Sequence, residues 1–213
     1  MLDMTAAFQA SLLDLDTSVA PGPLRGAVSR ARLSDGAWVD TCPAWVRGAD
    51  ALFETLHDGV PWRDERRQMY ERMVDVPRLL AFYDEGEPLP DPALEAIKAA
   101  LDAHYGPELG EQFATAGLCL YRDGRDSVAW HGDRIGGGRD EDTMVAIVSV
   151  GSPRALLLRP RNGGGSTVRH YLGHGDLIVM GGSCQRTWEH CVPKTARAAG
   201  PRISIQFRTY GVR

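Results

Sequence analysis

From Thr115 to Thr209 the chain breaks into short runs of β-forming residues separated by glycine and aspartate turns. The runs are Leu118 to Tyr121, Ser127 to His131, Met144 to Val150, Ala155 to Arg159, Thr167 to Leu172, Asp176 to Met180 and Arg202 to Thr209. Strands this short and this closely spaced cannot each bury a face alone, so they predict a sandwich or a barrel. The last run has the clearest pattern. Ile203, Ile205 and Phe207 alternate as one buried face. Arg202, Ser204, Gln206 and Arg208 share the other. Two guanidiniums on one strand face are costly to cover unless an anion meets them.

A second feature lies on the same framework. His131 and Asp133 stand at i and i+2, on one face of an extended strand, and His190 follows 57 residues later. Two imidazoles and a carboxylate can occupy one triangular face of an octahedron and leave the other positions open, which suits a non-haem Fe(II) oxygenase. Zinc uses the same ligand types, and a surface His-Asp pair with an unrelated histidine is the plain alternative. His57, His104, His170 and His174 read as structural.

The surrounding text narrows the choice. Leu120-Tyr121-Arg122-Asp123-Gly124, Asp126 to Trp130, His174-Gly175-Asp176-Leu177, Trp188 to Lys194 and Val76 to Tyr83 occur in order around His131-x-Asp133, His190 and Arg202-x5-Arg208. Over roughly residues 60–213 this resembles the AlkB family of 2-oxoglutarate- and Fe(II)-dependent dioxygenases. The resemblance implies a mixed α and β, mainly β fold: a double-stranded β-helix, or jelly roll, with flanking helices. It implies Fe(II), 2-oxoglutarate and O₂ as cofactor and cosubstrates, with His131, Asp133 and His190 as metal ligands. Arg202 would grip the distal carboxylate of 2-oxoglutarate, Arg208 would lie near the end that chelates iron, and Tyr121 would bond the cosubstrate. The implied reaction is oxidative dealkylation of N-alkylated nucleobases in DNA, a direct repair. The same chemistry on RNA, protein or a small molecule, and a non-catalytic binding module with this fold, stay open. Arg78, Phe82, Tyr83 and Arg159 are the candidate substrate contacts.

Two positions depart from the family. Cys119 stands where it usually has asparagine, which weakens one cosubstrate contact, since a thiol is a poorer donor than an amide. Ile135 stands where it usually has an acid that reads the damaged base; Asp140, Glu141 or Asp142 could supply a carboxylate instead.

The rest of the chain bears on organisation and partners. Residues 1–20 are expected to be a loose tail, and residues 21–213 one catalytic domain, with a nucleotide-recognition region near 60–90 and an oxygenase core near 115–213. Within the tail, Gln9-Ala10-Ser11-Leu12-Leu13 resembles a sliding-clamp docking peptide; a short amphipathic helix covering the core is the alternative. Ser34-Asp35-Gly36 between two β runs signals a hairpin. Ala49 to His57 and Asp91 to His104 read as helices, the second capped by Asp91, opened by Pro92 and stopped by Gly106-Pro107.

Net charge is −4, which argues against a generic nucleic-acid coat. Yet residues 151–213 hold ten Lys and Arg against two acids, while residues 1–150 hold fourteen against twenty-six. The C-terminal half therefore builds a cationic pocket, or the two halves interleave and neutralise each other. The four cysteines show no disulfide framework, and no signal or membrane-spanning run is visible. A cytoplasmic monomer with no membrane partner is the expectation.

Overall fold

The computed structural model describes residues 18–69, 72–133 and 140–212, with residues 66–69 and 72–75 described by their backbone alone. Among the described residues, fourteen strands and three α-helices follow in this order: β1 (Ala20–Pro21), β2 (Ser29–Arg32), β3 (Ala37–Cys42), β4 (Val46–Arg47), α1 (Ala49–Gly59), β5 (Arg63–Met69), β6 (Arg72–Tyr83), α2 (Pro92–Leu109), β7 (Phe113–Tyr121), β8 (Val128–His131), β9 (Val145–Gly151), β10 (Arg154–Pro160), β11 (Val168–Leu172), β12 (Asp176–Gly182), α3 (Cys184–Thr187), β13 (Trp188–Val192) and β14 (Arg202–Thr209).

Eight strands form the larger sheet, in the order β2-β3-β12-β9-β14-β7-β6-β5, and four form the smaller, in the order β11-β10-β13-β8. Every pairing is antiparallel. This two-sheet arrangement is a jelly roll with helices packed against the larger sheet. Among the described residues, no helix is long and apolar enough to cross a membrane.

The larger sheet has two buried faces because its strands alternate between two cores. Leu118 and Leu120 of β7, Ala146 and Val148 of β9, and Ile203, Ile205 and Phe207 of β14 pack with Leu52 and Leu56 of α1 and with Leu94, Ile97 and Leu101 of α2. Each such side chain contributes roughly 1.5–3 kcal/mol by leaving water. Cys119, Tyr121, Val145 and Ile147 belong to the second core, with Leu156, Leu158, Trp188 and Val192. A strand has period two, so Arg202, Ser204, Gln206 and Arg208 must point away from the helices and into the roll.

Two expectations need correction, and one strand forms where the sequence carries no local signal for it. The chain is already organised before residue 21, because Ala20 pairs with Arg47 at the start of β1. The arginine-rich stretch from Arg63 is a strand, paired with β6 alone at one end of the larger sheet. Helix α2 runs past Gly106-Pro107 to Leu109 and ends at Gly110, whose φ of 81° suits a left-handed cap. Tertiary contacts hold this last turn. Tyr105 is buried against Trp38 and donates its hydroxyl to Asp40, while Glu108 accepts from Arg30. The clamp-like segment Gln9 to Leu13 lies outside the described residues.

Candidate metal and cosubstrate site

The smaller sheet carries the ligands. β13 pairs with β8 in a register that sets His190 across from His131, their ring centroids 4.2 Å apart. With Asp133 just past the end of β8, one potential ligand atom from each residue lies within 4.8 Å of the others. His131 Nδ1 is 2.8 Å from the Ala129 carbonyl, which can only accept, so the proton sits on Nδ1. Nε2 keeps its lone pair and faces Asp133 Oδ1 at 3.8 Å. That is the tautomer a metal requires, held by the backbone of the histidine's own strand.

Asp133 is 4% exposed. Its amide donates to Gln185 Oε1 at 3.0 Å, and its Oδ2 accepts from Arg208 Nε at 3.1 Å. Burial alone would raise its pKa, but the Arg208 guanidinium and the two imidazoles outweigh burial and hold the carboxyl well below the usual range. His190 is pushed down to about 3, first by burial and then by the charges of His131 and Arg208, with Asp133 opposing. An ionised carboxylate and a neutral imidazole are the forms that bind a cation without first losing a proton.

A cavity of about 640 Å³ opens at these ligands, and Tyr121, Arg202, Ser204, Gln206 and Arg208 line it from the larger sheet. Arg202 is 1% exposed. Its Nε donates to Ser149 Oγ at 2.8 Å, and its guanidinium lies 5.2 Å from the Tyr121 ring centroid. Its Nη1 is buried with no partner. A buried cationic N–H left unpaired is costly, so the pocket fits an anionic group from outside the chain. Burial pushes the Tyr121 phenol up to about 12, with the neighbouring arginines opposing, so its hydroxyl stays protonated and can donate. A dicarboxylate with one end on Arg202 and the other beside the ligand triad matches these donors.

The candidate substrate residues fall in different places. Arg78, Phe82 and Tyr83 of β6 line the cavity, Phe82 being half exposed. Arg78 donates to the Ser127 carbonyl at 3.3 Å, and its Nε is buried without a partner. Gly117 makes room for two of these groups: a Cβ there would come within 2.9 Å of Arg208 Nη1 and 3.2 Å of the Phe82 ring. Arg159 does not line the cavity. It bonds Glu189 and lies over the Trp130 ring, because the register of β10 on β13 sets Arg159 opposite Glu189. Ile135 lies outside the described residues. Asp142 is tied to Arg186, and the rim carboxylates in the cavity wall are Glu65 and Asp84.

Sequence reasoning missed several participants. Gln185 and Ser149 have no spacing signal and act only through the fold. Arg154 is buried and ties three backbone carbonyls, of Asp123, Asp126 and Pro193, to the loops flanking the site. Gln206 could have been found, since the alternation of β14 already placed it on the Arg202 face.

The profile of the 2OG-Fe(II) oxygenase superfamily matches residues 82–208. Among curated proteins, alpha-ketoglutarate-dependent dioxygenase alkB homolog 3 is 33% identical in Bos taurus over 79% of this chain and 64% of that protein. The Homo sapiens protein of the same name is 32% identical over 77% and 62%. DNA oxidative demethylase ALKBH2 of Homo sapiens is 27% identical over 75% and 68%. The chain thus spans under two thirds of the length of the first two. In three dimensions the structure of OsALKBH1 superposes with a TM-score of 0.58 at 13% identity, covering 85% of this chain and 100% of the other, a likeness of fold. The match over most of the oxygenase core, on a chain that brings together two histidines, a carboxylate and an arginine with an unpartnered N–H, places this protein in the 2OG-Fe(II) oxygenase superfamily and, within it, in the AlkB family.

Proposed function

We propose that this chain is an Fe(II)- and 2-oxoglutarate-dependent dioxygenase that dealkylates nucleobase nitrogens in DNA. One observation carries the reading: a single cavity joins the His131-Asp133-His190 triad, the Arg202 pocket and a rim bearing the half-exposed Phe82 ring. When bound, Fe(II) and 2-oxoglutarate supply oxidation of a substrate C–H bond by O₂, with release of succinate and CO₂. The chain's residues do the rest. Arg202 and Tyr121 hold the distal carboxylate away from the metal. Arg208 keeps Asp133 ionised and turned toward the triad. Phe82 offers a face on which an unstacked base can lie, as enzymes acting on bases require. Hydroxylation of an N-methyl group at this position gives a hydroxymethyl adduct that releases formaldehyde. The names of the curated relatives, alkB homolog 3 and DNA oxidative demethylase, support this substrate class.

The test is anaerobic loading with Fe(II) and 2-oxoglutarate, then exposure to O₂ with oligonucleotides bearing 1-methyladenine or 3-methylcytosine. Formaldehyde and succinate should appear in equal amounts. Succinate that does not depend on the oligonucleotide, with no formaldehyde, would remove nucleobases from the proposal while leaving the oxygenase chemistry standing.

A further inference from the structure

Among the described residues, Gln206 is the only side-chain amide in the cavity wall, and the orientation of its amide is fixed by its neighbours. Arg208 Nη2 lies 2.5 Å from Oε1; a guanidinium has no acceptor, so the oxygen must face it. The NH₂ group then faces Cys119 Sγ at 3.4 Å and Ser204 Oγ at 3.2 Å. Beyond Arg208 the chain of contacts continues to Asp133 Oδ2 at 3.1 Å. One side of the amide thus acts on a metal ligand through Arg208. The other side spends its donors on a thiol and a hydroxyl, and a thiol sulfur is a weak acceptor. A carboxylate entering the cavity is a far better acceptor than either.

We propose that Gln206 orients both halves of the site: its carbonyl locks Arg208 onto Asp133, and its NH₂ turns from Cys119 and Ser204 to the carboxylate of 2-oxoglutarate nearest the ligand triad. The proposal rests on the cosubstrate site alone and does not depend on what is oxidised.

The two sides of the amide can be tested separately on protein loaded with Mn(II) as a redox-inert probe. Gln206→Glu keeps an oxygen toward Arg208 and loses the donor. Calorimetric titration should give an Mn(II) affinity within about twofold of the parent, with 2-oxoglutarate binding at least about tenfold weaker, the size of a lost hydrogen bond to a charged group. Gln206→Leu should weaken both. Adding Cys119→Asn to Gln206→Leu puts an amide back into the same part of the wall, and should recover most of the 2-oxoglutarate affinity but not the Mn(II) affinity. A merely structural role would move both binding constants together with the melting temperature and would give no recovery by Cys119→Asn; that pattern overturns the proposal. So does a 2-oxoglutarate titration of Gln206→Glu within twofold of the parent. If Gln206→Leu does not fold, the near-isosteric Gln206→Glu decides alone.

Discussion

Arg202 and Arg208 sit on the same face of one strand, yet their surroundings give them different work. Arg208 meets a carboxylate of its own chain, Asp133, and so belongs to the metal end. Arg202 bonds Ser149 and lies against the Tyr121 ring, with no carboxylate among these partners, and burial together with the nearby Arg154 charge lowers its pKa. Its charge is left for an incoming anion. Arg202→Met would strand the distal carboxylate of 2-oxoglutarate without a partner, at a cost of roughly 3–5 kcal/mol. At about 1.4 kcal/mol per tenfold, binding of 2-oxoglutarate should weaken at least about a hundredfold, while Mn(II) affinity in its absence stays near the parent value. An unchanged calorimetric titration would assign the distal carboxylate to another group.

Among the elements, the clearest lesson is where local signals gave way. Proline 107 and Gly106 mark a helix stop, but Tyr105 and Glu108 belong to a network with Asp40 and Arg30 that extends α2 by a turn. Tyr105→Phe removes one hydrogen bond to a buried carboxylate, a loss of about 1–2 kcal/mol. Thermal unfolding should move down by roughly 2–4 °C per kcal/mol; an unmoved transition would take this network out of the account. Strand β5 was hidden for a different reason. Arg63-Asp64-Glu65-Arg66-Arg67 has no apolar alternation, and among the described residues its only sheet partner is β6. Strand β13 has no separate signal, because its motif reads as a ligand signature rather than as a strand. The β5–β6 ladder also has a device near the site. Asp64 pairs with Leu79 but Arg66 with Asp75, so Glu65 faces Val76-Pro77-Arg78. Pro77 has no N–H for the ladder, and its carbonyl accepts from Ser127 instead. Such bulges re-aim side chains, and both Glu65 and Arg78 line the cavity. Burial works against the Arg78 charge, and the Glu65 carboxylate is among the groups that support it. On the nucleobase reading, Glu65, which lines the cavity where Asp142 does not, is the acid expected to favour a cationic base. Glu65→Gln should lower the ratio of kcat/KM for 3-methylcytosine to that for ethenoadenine about fivefold, the scale of a partly exposed ion pair. A constant ratio on one oligonucleotide sequence would place Glu65 outside base selection.

Across the whole molecule the charge asymmetry of the sequence largely dissolves, because the two halves interleave. Strand β14 lies between β9 and β7, and Arg208 meets Asp133, Arg186 meets Asp142 and His174 meets Asp50. What was legible beforehand were groups whose type and period already imply chemistry, such as His131-x-Asp133 and the β14 alternation. What was not legible, such as Gln185 on Asp133 or Ser149 on Arg202, depends on contacts between residues about fifty positions apart, with no local pattern to mark them. The site itself is a tie between the two sheets: His131 and His190 stand on the smaller sheet and Arg202 and Arg208 on the larger, and Arg208 bonds Asp133 just past the end of β8. A ligand that spans them binds only the folded chain, so it must raise the unfolding temperature by mass action. At a hundred times its Kd the gain is about 2.7 kcal/mol, or roughly 5–10 °C for a chain of this size. Two separable shifts should therefore appear, one on adding Mn(II) and a further one on adding 2-oxoglutarate. His131→Ala and His190→Ala should lose both, since the metal that these residues would hold would in turn anchor the near end of 2-oxoglutarate. Arg202→Met should keep the Mn(II) shift and lose most of the second. If Arg202→Met shows the full second shift, or His190→Ala keeps the first, the division of labour between the sheets is wrong.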